Sequence, residues 1–276
     1  MNLSKNALIL AAGLGTRLRP LTDTMPKALV PITGRPMLEH QILRLKADGF
    51  DHIVVNIHHF GQQIIDFIKA NDSFGIRIDI SDERERLLDT GGAVRQAMHF
   101  FRDSKWPVLV HNVDIFSNAP LAELYKEHTD GGLYEASLVV SKRETSRYLA
   151  FDGHGELAGW KNIKTGEVKT PFPELRPRLE TLDYCPQPYE PAAPAGPTDA
   201  PDMSLWAFSG IHFISPWLAD DLEAFGEAFS IIDFYLSAAP HWSIMGMTPP
   251  GLRLVDAGKP ETLPLAAELL RTTKMF

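Results

Sequence analysis

The stretch Leu8–Met37, LILAAGLGTRLRPLTDTMPKALVPITGRPM, constrains this chain more than any other. The apolar run Ala7–Ala12 fits a strand covered on both faces, because such strands read as near-continuous hydrophobic strings. It breaks into Gly13-Leu14-Gly15-Thr16-Arg17, where two glycines let backbone N–H groups turn toward an anion with no Cβ in the way. Arg17, Arg19 and Lys27 then place three cations within eleven residues of an otherwise acidic chain. Backbone donors, a guanidinium and an ammonium together make a polyphosphate site, as for a nucleoside triphosphate. The loop is neither of two familiar phosphate loops. No Gly-Lys-Ser or Gly-Lys-Thr follows the glycines, as a Walker A loop requires. Leu18 stands where the dinucleotide fingerprint has its third glycine, and Pro20 argues against an immediate helix.

A chain of 276 residues can bury one large α/β core without splitting into two equal domains. Hydrophobic content of 44% and charged content of 22% are those of an ordinary globular enzyme. The formal net charge of −8 argues against nucleic-acid or membrane-surface binding. A single cysteine, Cys185, excludes an internal disulfide and fits a reducing compartment. The first apolar run is too short for a signal-peptide core or a membrane span. These features lead to the expectation of a cytoplasmic protein.

The first half alternates strands and helices. Strands are expected at Ala7–Ala12, Ile53–Ile57, Ile76–Ile80 and Val108–Val110, and helices at Leu38–Asp48, Gly61–Asn71 and Gly92–Phe101. That alternation predicts βαβ units and an α/β, Rossmann-like, mainly parallel central sheet flanked by helices. Ligands of such sheets bind at the carboxyl ends of the strands, where the glycine loop and Asp114 both fall. In the second half, Ser137–Val140, Tyr148–Phe151, Leu157–Trp160, Leu205–Phe213 and Leu252–Val255 read as strands. Ser215–Phe225, Ile231–Ala238 and Pro260–Thr272 read as helices. Residues 171–201 hold nine of the 21 prolines and predict a loop, with a lid over the site as one use.

The motif L-A-A-G-x-G-T-R-L-x-P-L-T, followed by P-K-x-L-x-P and G-x-P-M, resembles the signature of the sugar-nucleotide pyrophosphorylases. The resemblance is dense over residues 7–115 and returns near 205–265. It implies a GT-A-like nucleotidyltransferase fold in one domain over 1–276. The nucleotide-binding part would cover about 1–135, and a small sugar-binding β lobe would lie within about 136–276. It also implies the reaction, in which a sugar 1-phosphate and a nucleoside triphosphate give an NDP-sugar and pyrophosphate. Such a transfer needs no enzyme nucleophile, so the protein's work is positioning and charge neutralisation.

Under that resemblance Ala11, Ala12, Gly13, Gly15, Thr16 and Arg17 hold the nucleotide, together with Asn112 and with Gly91 and Gly92 at the nucleoside. Arg17 suits phosphate oxygens bidentately, and Lys27 would sit near the α-phosphate as a compact charge. These two are the catalytic candidates. Asp114 in HNVDIF and Asp256 in LVDAGKPE match the family's metal aspartates and would bind Mg²⁺. On spacing alone either is an ordinary strand-end residue. Two carboxylates facing each other in an empty site would repel, so replacing either is expected to leave the apo protein no less stable. On the sugar side, Trp160, Lys161, Asn162 and Glu167 are candidates, with Lys161 aligning with a family residue on the sugar phosphate. Gly210 in FSGIHFI matches a glycine that lies against the sugar.

Several conspicuous residues carry plainer explanations. His58 and His59 point to opposite faces of a strand end, which favours packing over a metal pair. The run Asp82–Arg86 reads as a solvated loop, and Cys185 lacks the basic surroundings of an activated thiol. The lack of an appended β-helix and the Thr90-Gly91-Gly92 segment favour UTP with N-acetylmuramate 1-phosphate, ahead of GTP with mannose 1-phosphate. Two other readings stand beside these, a phosphocholine cytidylyltransferase and a catalytically silent sugar-nucleotide-binding paralogue. Monomer and homo-oligomer are equally open.

Overall fold

The computed structural model describes residues 4–131, 134–184 and 203–273. Strand β1 (Asn6–Leu10) leads through three 3₁₀ turns (Thr16–Leu18, Leu21–Asp23, Lys27–Leu29) and a short ribbon, β2 (Pro31–Ile32) and β3 (Arg35–Pro36), into helix α1 (Met37–Ala47). Then follow β4 (His52–Ile57), α2 (Gly61–Ala70), β5 (Arg77–Asp82), α3 (Asp89–Met98), β6 (Val108–Asn112), β7 (Ile115–Ser117) and α4 (Leu121–Gly131). The second half runs β8 (Ala136–Ser141), β9 (Arg147–Phe151), β10 (Leu157–Asn162), β11 (Val168–Lys169), α5 (Arg176–Thr181) and β12 (Ser204–Ile214). It closes with α6 (Ala219–Phe225), α7 (Ile231–Ala238), β13 (Ile244–Met247), β14 (Leu254–Asp256) and α8 (Leu263–Thr273).

One sheet spans the molecule in the order β11-β10-β9-β12-β6-β1-β4-β5, with β8 also against β12 and β13 against β8. β6, β1, β4 and β5 are mutually parallel, and β12 joins β6 antiparallel. Every residue of β4, HIVVNI, is buried, as expected of a strand with both faces covered. One face carries a core that includes Leu38, Ile42 and Leu45 of α1 and Ile64 of α2. The other carries Val94 of α3 and Phe234 of α7. The sheet as a whole is mixed, with antiparallel pairs from β12 outward to β11, and the expected parallel central strands flanked by helices are present.

The proline-rich expectation needs correction in part. Pro173–Leu175 forms a 3₁₀ turn and Arg176–Thr181 is helical, with a proline in the first turn of each, where its missing N–H has no intrahelical partner to lose. Leu179 is fully buried against Tyr148, Ala150 and Leu205, so this portion is docked structure. The remainder, 185–201, lies outside the described residues, as does Cys185. The run Asp82–Arg86 is also not wholly solvated, because Glu83 is only 2% exposed. No helix among the described residues is long and apolar enough to cross a membrane.

Candidate active site

A cleft of about 320 Å³ opens at the carboxyl ends of β1, β4 and β6, lined by Ala12, Gly13, Arg17, Lys27, Asn112, Asp114 and Asp256 among others. The glycine loop is fixed from behind. Asn56, near the end of β4, accepts from the N–H groups of Ala11 at 2.5 Å and Ala12 at 3.2 Å. Its own amide donates to Glu83 Oε1 at 2.7 Å. Burial holds the Glu83 carboxyl above the usual carboxylate range, with the Asn56 bond pulling the other way. Gly15 has φ +64, a left-handed conformation suited to glycine, and its carbonyl accepts from Thr22 Oγ1 at 2.8 Å. Ala11, Gly15 and Thr16 shape the loop without lining the cleft. Arg19 turns aside to Asp23, 3.4 Å away.

Four charged groups meet in the cleft. Lys27 Nζ donates to Asp114 Oδ2 at 2.7 Å, and Arg17 Nη2 lies 4.0 Å from Asp256 Oδ2. The aspartates are brought together by β14 pairing with β7, which sets Asp256 opposite Ile115, and by the Ala257 N–H donating to the Asp114 carbonyl at 2.8 Å. A Cβ on Gly258 would stand 2.7 Å from both Arg17 Nη2 and Asp256 Oδ1 and 3.0 Å from Asp114 Oδ2. Glycine there keeps a gap between two hard oxygen donors, a donor set that suits Mg²⁺, which takes one or two carboxylates and completes its shell with phosphate and water. Among the described residues there is no cluster of three or more His, Cys, Asp or Glu that could hold a metal by themselves.

The other expected residues divide. Gly210 has φ +77 and a Cβ there would stand 2.6 Å from Asn112 Nδ2, so the glycine lets Asn112 reach the cleft wall. Gly91 and Gly92 start α3, but the space beside them is already filled by the Phe229 ring and the Glu227 carbonyl. The Gly91 N–H donates to Phe229 O at 2.8 Å. Their neighbours Asp89, Thr90 and Ala93 line the cleft instead. Lys161 is 6% exposed, and its ammonium donates to the carbonyls of Glu180 at 2.8 Å and Leu182 at 2.7 Å. It holds the end of α5, a structural role that the sequence did not suggest. Asn162 and Glu167 close the β10–β11 turn, with Asn162 N–H donating to Glu167 O at 2.8 Å. Trp160 carries the Lys169 ammonium 5.3 Å from its ring centre. None of Trp160, Lys161, Asn162 and Glu167 lines the cleft.

Sequence reasoning missed Asn56, Glu83 and Leu87, which also line the cleft, and Gly258. Asn56 did leave a signal, a lone amide within the apolar IVVNI run. His58 and His59 behave as packing groups, His58 Nδ1 at 2.7 Å from Glu83 O and His59 against Phe60.

A cleft at the carboxyl ends of parallel central strands, with two carboxylates and two cations converging in it, has the make-up expected of a nucleotide-dependent α/β transferase. Residues 6–151 match the nucleotidyl transferase family, and the chain belongs to that family. It is 43% identical over 266 residues to the N-acetylmuramate alpha-1-phosphate uridylyltransferase of Caulobacter vibrioides, covering 96% of each chain. It is 40% identical over 144 residues to the mannose-1-phosphate guanylyltransferase 1 of Arabidopsis thaliana, covering 51% of this chain and 40% of that one. The inositol-1-phosphate CTP transferase from T. maritima superposes with a TM-score of 0.70 at 13% identity, over 99% of this chain and 97% of that one. A UDP-glucose pyrophosphorylase complexed with UDP-glucose gives 0.67 at 18% identity, over 98% and 99%. These two likenesses establish a GT-A-like nucleotidyltransferase fold.

Proposed function

We propose that this enzyme joins UTP and N-acetylmuramate α-1-phosphate to give the UDP-sugar and pyrophosphate. The observation that carries the transfer chemistry is the pairing of Lys27 with Asp114 and of Arg17 with Asp256 around Gly258. The choice of substrates rests on the full-length relative of that name. An oxygen of the sugar 1-phosphate attacks the α-phosphorus of UTP, the new P–O bond forms, and the bond to the β-phosphate breaks in line. Arg17 grips the triphosphate and Lys27 neutralises charge where the two phosphates meet, two preorganised cations acting where charge develops. Asp114 and Asp256 would hold Mg²⁺, which when bound supplies further charge stabilisation at the phosphate oxygens.

Asn56 and Glu83 fix the start of the glycine loop from behind, where β1 ends. We assign about residues 1–135 to the nucleotide and about 136–276 to the sugar, and infer cytoplasmic work, which the lone cysteine fits. A phosphocholine enzyme would need an open aromatic face for a quaternary ammonium, and Lys169 already lies over Trp160. The test is a matrix of four triphosphates against a panel of sugar 1-phosphates, read by pyrophosphate release. Preference for UTP with N-acetylmuramate 1-phosphate is expected. Preference for GTP with mannose 1-phosphate would replace the substrates, and no release with any pair would make the protein a silent binder.

A further inference from the structure

The backbone that presents Asp114 is held from the helix side of the sheet. Gln41, on α1 and 2% exposed, donates through Nε2 to the carbonyl of Ile115 at 2.8 Å and to that of Val113 at 3.3 Å. These are the carbonyls immediately before and after Asp114. The Asp114 carbonyl itself accepts from Ala257 N–H at 2.8 Å. One turn along α1, Arg44 donates to Ser117 O at 2.7 Å and to the carbonyl of Ala119. Three successive peptide planes are thus pinned, two of them by a single buried carboxamide. Residues 113–115 lie at the end of β6 and the start of β7, where regular ladder bonds give out. Without an outside donor those carbonyls would be buried and unpartnered, which costs free energy and invites the segment to shift.

We propose that Gln41 is a positioning residue for the reaction, fixing the orientation of Asp114 so that its carboxylate faces Asp256 across the Gly258 gap. The inference rests on the metal role given above to that pair. Groups that orient a metal ligand from behind typically alter metal affinity by about 10–100-fold when removed. Gln41 touches neither substrate nor metal, and its effect is transmitted through two peptide groups to one carboxylate.

The test compares Gln41→Met, which keeps length and removes both donors, with Gln41→Asn, which keeps the amide but withdraws it by one methylene. Leu45→Ala serves as the control, since Leu45 is a fully buried residue of the same helix that makes no such bond. Mn²⁺ uptake by the protein alone, read from the electron paramagnetic resonance of the free ion, is the first measurement. The Mg²⁺ concentration for half-maximal pyrophosphate release is the second, with thermal melting alongside. Gln41→Met is expected to weaken Mn²⁺ binding about tenfold and to raise the Mg²⁺ requirement, with Gln41→Asn in between. Leu45→Ala should lower the melting temperature and leave both metal readouts unchanged. Equal Mn²⁺ binding by Gln41→Met and the unaltered protein would overturn the inference alone. A metal shift in Leu45→Ala matching its loss of stability would do the same. Absence of Mn²⁺ uptake by the unaltered protein would remove the metal pair and this inference together.

Discussion

The Lys27 ammonium rests 2.7 Å from Asp114 Oδ2, with both side chains largely withdrawn from solvent at 14% and 9% exposure. Asp114 therefore does not face its fellow carboxylate uncompensated, which argues against the expectation that this aspartate could be removed without loss of stability. Asp114→Ala strands a nearly buried ammonium and should cost about 2–3 kcal/mol, below the range for fully buried pairs. Asp256 is 41% exposed and 4.0 Å from an exposed guanidinium, so Asp256→Ala should stay within about 1 kcal/mol of the parent. Both should nearly abolish turnover. Urea melts beside pyrophosphate assays check the contrast, and an equally stable Asp114→Ala protein would refute it.

Gly258→Ala separates site geometry from folding. The added methyl would meet the movable ends of Arg17 and Asp256 at 2.7 Å and Asp114 Oδ2 at 3.0 Å. Flexible side-chain tips can yield, so the melting temperature should hardly move. Displacing three functional groups together should lower kcat by about 10²-fold, the scale of a misplacement near 1 Å. Retained turnover would mean that the gap is not used.

Lys161 offers a test of whether the sugar phosphate binds at the end of α5. Its ammonium bonds to two carbonyls at the end of α5. Lys161→Met should therefore lower the melting temperature while leaving the KM for sugar phosphate within about twofold, as expected when no binding interaction is removed. A large KM increase at unchanged stability would restore the residue to the substrate.

Three buried imidazoles make the fold acid-sensitive. Burial lowers His111 and His212 to about 3 and His128 to about 4. An unfolded chain takes up these protons near pH 6.5, so it binds more protons than the folded state below that pH. Stability is then complete above about 6.5 and declines as pH falls toward 4 and 3. Glu83, with its pKa raised by burial, contributes in the opposite sense below neutrality. Chemical denaturation from pH 7.5 to 4 should show the decline, and His128→Gln should flatten it. A pH-independent midpoint would contradict the burial argument.

Periodicity made β4, α1 and α7 legible, because a continuous apolar string and helical spacing are local properties. The glycine loop with Arg17 and Lys27 was legible for the same reason. Helix α4 and strand β13 were missed, α4 because its apolar face is only Leu121, Leu124 and Tyr125 before the polar run KEHTDG, and β13 because it is four residues, IMGM, with a glycine among them. The role of Lys161 was hidden because only the folded chain sets its ammonium against the end of α5. Glu83 was hidden within a charged run whose other members are exposed. Gly91 and Gly92 looked like room for a base, and the space belongs to a segment more than a hundred residues downstream.

The pairing of β14 with β7 has a temporal consequence. During synthesis strands β1 to β6 leave the ribosome well before Asp256, the last of the four cleft charges to be made. A partly made chain therefore carries Arg17, Lys27 and Asp114 and lacks the second of the two carboxylates proposed to hold the metal. Nucleotide captured by such a chain would meet an incomplete catalytic unit, so competence arrives only when nearly all of the chain has been threaded into place.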